Sequence, residues 1–95
     1  MAKIEVENVL QPGKTYRVEA DKFNAMRASY LGAVPVGLPG ATPADVMKGL
    51  LPALPADLFP GGEKAGWWAK CVQLDLEAKG VIRRNPAPPV RLYRG

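Results

Sequence analysis

Residues 63–94 read EKAGWWAKCVQLDLEAKGVIRRNPAPPVRLYR, and the punctuation of this stretch decides the fold. Glu63 to Lys79 is one uninterrupted helical pattern carrying Trp67, Trp68, Val72, Leu74 and Leu76. Gly80 ends it, because glycine adopts the left-handed geometry that closes a helix C-terminus. Val81 to Arg84 then reads as a strand, Asn85 to Pro89 as a tight loop and Val90 to Arg94 as a returning strand. Residues 80–95 hold Arg83, Arg84, Arg91 and Arg94 and no acid. The other residues hold nine Lys/Arg and nine Asp/Glu, so the formal charge of +4 lies wholly in this segment.

Upstream, Pro60-Gly61-Gly62 resets the chain before the long helix. Leu54 to Phe59 is a connector with two apolar anchors, Leu58 and Phe59. Thr42-Pro43-Ala44-Asp45 is the clearest helix start. Thr42 suits the N-cap, Pro43 sits where its missing N–H costs nothing, and Asp45 faces the positive end of the helix dipole. Val46, Met47, Leu50 and Leu51 follow, and Pro52 ends or bends that helix around Leu51. Residues 35–40, rich in proline and glycine, read as an irregular loop. Phe23, Met26, Tyr30 and Val34 recur at helical spacing behind Asp21, a candidate cap, and Gly32 weakens the end of this helix. Residues 3–8 and 15–19 alternate with period two around a Pro12-Gly13 turn. Ile4, Val6, Tyr16 and Val18 share the inward face of the hairpin this predicts. A lone hairpin is marginal in water, so it must lie on the helices.

The expected fold is therefore α+β: an N-terminal β-hairpin, three helices and a C-terminal β-hairpin, in one domain over residues 1–95. Three helices followed by a two-stranded hairpin is the order of a winged helix-turn-helix. The run Leu74-Asp75-Leu76-Glu77-Ala78-Lys79-Gly80-Val81-Ile82-Arg83-Arg84 resembles the matching segment of many bacterial winged-helix transcription regulators, and the likeness extends over residues 42–94. It implies a winged-helix-like fold, with the hairpin as the wing. Residues 60–70 with 73–77 also look like a small family of short uncharacterised bacterial proteins, which brings no activity with it.

Composition bounds the rest. The apolar fraction of 47% and charged fraction of 23% are ordinary globular values. One cysteine, Cys71, excludes an internal disulfide and a Cys-rich zinc site. The N-terminus alternates charged and apolar residues and has no apolar signal-like run. No stretch approaches the roughly 18 apolar residues of a membrane span. The expectation is a cytoplasmic protein that does not engage membranes.

The long helix carries two apolar stripes. Ala65, Trp68, Ala69 and Leu76 fall within about 60° of Val72 and, with it, face the core. Trp67, Cys71, Leu74 and Ala78 form a second stripe on nearly the opposite side. Either the N-terminal hairpin covers that stripe, or Trp67, Cys71 and Leu74 form a surface for a protein partner or a second copy. Both readings reduce the helix face free to enter a DNA groove.

The basic residues also have two readings. Arg83, Arg84, Arg91 and Arg94 could clamp phosphates, with Lys64 and Lys70 adding contacts where Gly61 and Gly62 leave backbone N–H groups free. Equally, the arginines could keep an edge hairpin soluble, while Pro86, Pro88 and Pro89 block strand addition. Catalysis has little support. The chain has no histidine, Cys71 lies in an apolar stripe without a base, and Asp75 and Glu77 do not face each other on a helix. The expectation is a non-enzyme with no cofactor and no metal. Two functions stand side by side. The first is weak binding of double-stranded DNA through phosphate contacts. The second is a homodimerisation or protein-interaction module built on the Trp67/Leu74 face.

Overall fold

Period-two alternation produces the first sheet. In a computed structural model that describes residues 2–95, β1 (Lys3–Glu7) pairs antiparallel with β2 (Thr15–Glu19), with Ile4 opposite Val18 and Val6 opposite Tyr16. Val6 and Val18 are buried and Ile4 is half-buried, so the expected face turns inward. Tyr16 shares that face but lies at its rim, 38% exposed.

α1 (Ala20–Ala33) follows β2 directly. Its N-cap is Glu19, which makes no side-chain capping bond, and Asp21 sits within the first turn rather than before it. Phe23, Met26, Tyr30 and Val34 are buried at the expected spacing. α2 (Pro43–Leu50) begins as its sequence predicts, with the Asp45 N–H donating to Thr42 Oγ1 at 3.2 Å. Pro52 falls in a short 3-10 turn, Leu51–Ala53, that ends this segment. A second 3-10 turn, Pro60–Gly62, leads toward α3 (Ala65–Ala78). This helix starts two residues later than the apolar pattern suggests, because Lys64 takes a left-handed φ of 57°.

The end of α3 closes as glycine predicts. Gly80 has a φ of 74°, and Val81 N–H returns to Leu76 O at 2.9 Å. β3 (Ile82–Arg84) and β4 (Leu92–Arg94) are shorter than the expected strands, with Val81 and Val90 outside them. They pair antiparallel, with Arg83 opposite Tyr93.

The loop after α1 is not irregular where it meets β4. Leu92 and Ala41 exchange backbone bonds of 2.8 and 2.9 Å, and Arg94 bonds Pro35 O and receives Gly37 N–H, both at 2.8 Å. Residues 35–41 thus flank β4 on the side away from β3. Gly40 permits this approach. Its φ is +87°, and a Cβ there would stand 2.6 Å from Leu92 O.

One contiguous core joins α1, α2, α3 and both hairpins. α3 is its axis: residues 71–76 are buried without a break. A helix apolar on two faces is covered on two faces. α1 packs on one and the N-terminal hairpin on another.

Candidate interaction surface

The second stripe of α3 divides in two. Cys71 (4% exposed) and Leu74 (7% exposed) lie beneath the N-terminal hairpin, while Trp67 remains 55% exposed. Val9 N–H reaches Leu74 O at 3.3 Å, and Tyr16 Oη donates to Cys71 Sγ at 3.4 Å. The three residues expected to share an interface are therefore not one surface. Two are covered by the chain itself, and the stripe's first turn alone is open.

The covering hairpin is pinned by a carboxylate. Asp75 is 1% exposed, and its Oδ1 accepts the Glu7 backbone N–H at 2.8 Å. Lys79 Nζ lies 2.8 Å from the same oxygen and 3.0 Å from Oδ2. Its neighbour Gln73 is buried on the other flank, accepting from Tyr30 Oη at 3.4 Å and donating to Glu77 Oε2 at 3.2 Å. The wheel pattern of the helix places both residues on polar flanks. The structure buries them because α1 and β1 close over those flanks and supply bonding partners.

Trp67 packs against its neighbour. Its ring meets that of Trp68 edge-on at 5.0 Å, and Trp68 meets Phe59 edge-on at 6.4 Å. Two hollows lie beside it. One, of about 140 Å3, is lined by Tyr16, Trp67, Lys70, Cys71 and Leu74. The other, of about 410 Å3, is lined by Glu19, Lys22, Lys64, Trp67 and Trp68. Lys64 and Lys70 are thus brought to either side of the indole. None of Lys22, Lys64 and Lys70 joins an ion pair among the described residues.

Burial and hydrogen bonding set the protonation of the thiol and the phenol beneath the hairpin. Burial pushes the Cys71 thiol above its ordinary value, a rise the Tyr16 hydroxyl bond offsets only in part. Tyr16 itself is pushed up to about 12, first by burial and then by its bond to Cys71. Both groups stay neutral near pH 7.

The three arginines on the strands separate by strand face. Arg84 and Arg94 share the face of the buried Ile82 and Leu92, with Arg84 at its exposed rim, and Arg83 with Tyr93 lies on the other face. Arg84 makes a two-pronged contact with Glu77, Nε to Oε1 at 2.9 Å and Nη2 to Oε2 at 3.1 Å, and this bond raises its pKa further. Arg94 Nε donates to Val34 O at 3.2 Å, at the end of α1. These two fasten the C-terminal hairpin to α3 and α1. Arg83 is exposed and Arg91 half-buried, and neither is in an ion pair among the described residues.

The chain matches the family of unknown function DUF6958 over residues 3–92. It belongs to that family. No curated protein and no solved structure matches it. Within this DUF6958 chain, the sequence pattern indicated Trp67 but not the two hollows beside it, because Glu19 and Lys22 come from a different part of the chain. No helix among the described residues is long and apolar enough to cross a membrane.

Proposed function

We propose that this DUF6958 domain is a protein-interaction module that docks a partner segment around Trp67. The observation that carries the reading is a half-exposed tryptophan between two hollows, on a helix whose other large apolar side chains are buried by its own chain. Tryptophan supplies large contact area at little conformational cost, and it is enriched where binding energy concentrates. The lysines at the rims add preference for an anionic partner. A peptide-display library selected on the immobilised chain tests this. A shared motif that is enriched on the wild type and lost on Trp67→Ala supports it. Enrichment indifferent to Trp67→Ala, or no enrichment, sinks it.

A second reading, binding of double-stranded DNA, is favoured by one observation. The order α1, flanking segment 35–41, α2, α3, β3, β4 places the flanking segment beside β4 and β4 beside β3. That layout resembles a winged helix. The enclosure of residues 71–76 leaves the helix little to read bases with, so contact would fall to Arg83, Arg91, Lys64 and Lys70 on phosphates. Anisotropy of a labelled random duplex checks it: binding should collapse steeply with salt, and Arg83→Gln should weaken it for every sequence alike. Absence of binding at low salt removes this reading.

A further inference from the structure

The N-terminal sheet has an edge that the chain itself leaves unused. Glu7 N–H donates to Asp75 Oδ1, so Glu7 turns its backbone away from β2. Ala20 N–H donates to Ala2 O, which fixes the same alternation from the other end of the hairpin. Backbone groups along a strand point alternately to its two sides. Thr15 and Arg17, opposite Glu7 and Glu5, therefore turn their N–H and C=O groups outward from β2. Neither makes a backbone hydrogen bond outside the hairpin among the described residues.

This edge runs along the candidate site. Tyr16 lines the smaller hollow beside Trp67, and Glu19 lines the larger. A strand laid against β2 would share its faces. Side chains on the Tyr16 side would descend toward the two hollows, and successive ones, about 7 Å apart, could straddle the indole. Side chains on the other side would stand beside Thr15 and Arg17, both exposed. Apolar residues suit the first set, where Trp67, Leu74 and Tyr16 line the walls. An acid suits the position beside Arg17, whose only cross-strand acid is Glu5, and the three lysines at the hollow rims outnumber Glu19 there and favour the same sign.

We infer that the partner is an extended segment of alternating apolar and acidic residues that adds a third strand to β2. This rests on the Trp67-docking reading and specifies its geometry. Main-chain bonds to Thr15 and Arg17 supply affinity, and the hollows supply specificity. A second copy of this chain fits less well. Antiparallel self-pairing centred on β2 sets Arg17 opposite its own copy, and like charges directly opposite are destabilising.

The test uses the full isotope-labelled chain and an acetylated, amidated hexapeptide of alternating leucine and glutamate. Amide shifts and slowed hydrogen exchange at Thr15 and Arg17, together with a shift of the Trp67 indole N–H, are expected. In an antiparallel pair the residues opposite Thr15 and Arg17 exchange both bonds with them, so the glutamate amides carry the pairing. N-methylation of the glutamate amides should weaken binding about tenfold or more, a change of about 1.4 kcal/mol, and N-methylation of the leucine amides should leave it. Arg17→Gln, a change at an exposed site that sets no like charge opposite Glu5, should weaken the same peptide with the fold intact. Shifts at Trp67 alone, indifferent to glutamate methylation, would overturn strand addition while leaving the docking reading standing. No shift at millimolar peptide would overturn the acidic-segment assignment. Shifts that follow the chain's own concentration, without peptide, would point to a second copy and overturn it as well.

Discussion

Asp75 and Trp67 show how neighbouring turns of one helix serve different ends. Asp75→Ala would remove the acceptor of the Glu7 N–H and release Lys79, and should cost about 1.5–3 kcal/mol, the range for hydrogen bonds to charged groups. Asp75→Asn keeps an acceptor for Glu7 and should cost less; urea unfolding of the two variants checks the order. The adjacent tryptophans should separate further. Trp68→Ala empties a core position and should cost about 3–5 kcal/mol, while Trp67→Ala should stay within about 1 kcal/mol of wild type, as surface changes do. Equal losses would contradict the assignment of one ring to the core and the other to the surface. Burial also sets the response to alkali. Cys71 and Tyr16 have raised folded-state pKa values, so above the ordinary thiol value of 9.0 the unfolded chain binds fewer protons than the folded one. The contribution of these two groups should be level below that pH and fall as pH rises toward 12, the value to which Tyr16 is raised, with the buried Tyr30 acting in the same direction. In Cys71→Ala the fall should begin later, nearer the ordinary tyrosine value of 10.0. Urea midpoints across that pH range give the answer.

At the scale of elements, what was legible in the sequence was punctuation and period. Thr42-Pro43 and Gly80 marked their helix ends because each acts through its own local backbone chemistry. Residues 3–19 revealed a hairpin because alternation reports which face is buried. Trp68 and Val72 could be assigned to the core by angle alone. The flanking segment 35–41 was illegible because its pairing with β4 uses main-chain groups that no side-chain pattern encodes. Gly40 was the single hint, and it reads equally well as a turn. Gly40→Ala tests that pairing: the Cβ would meet Leu92 O in a left-handed backbone, and should cost about 1–3 kcal/mol or more. Slower hydrogen exchange at Leu92 and Arg94 than at Val90, lost in the variant, would tie the cost to this contact. The division of the arginines was hidden for a related reason. Parity separated Arg83 from Arg84 on the strand, but not which of the two met Glu77.

For the whole molecule, the enclosed helix decides more than the basic hairpin does. The formal +4 lies in residues 80–95, yet two of its four arginines fasten that hairpin to α3 and α1. Charge counted along a sequence overstated what is free to meet an anion. The Trp67 site, by contrast, joins residues from β2, α1 and α3, and could be found only by assembling them. The Asp75–Glu7 bond has a consequence in time as well as in space. Its two ends lie 68 residues apart, so a chain growing at about 5–20 residues per second makes β1 roughly 3–14 s before its acceptor exists. Throughout that interval Val6 and Val18 have α1 beside them but lack α3, the helix the hairpin covers. The hairpin is thus the first element made and among the last to be fully covered, its burial completed only when α3 emerges.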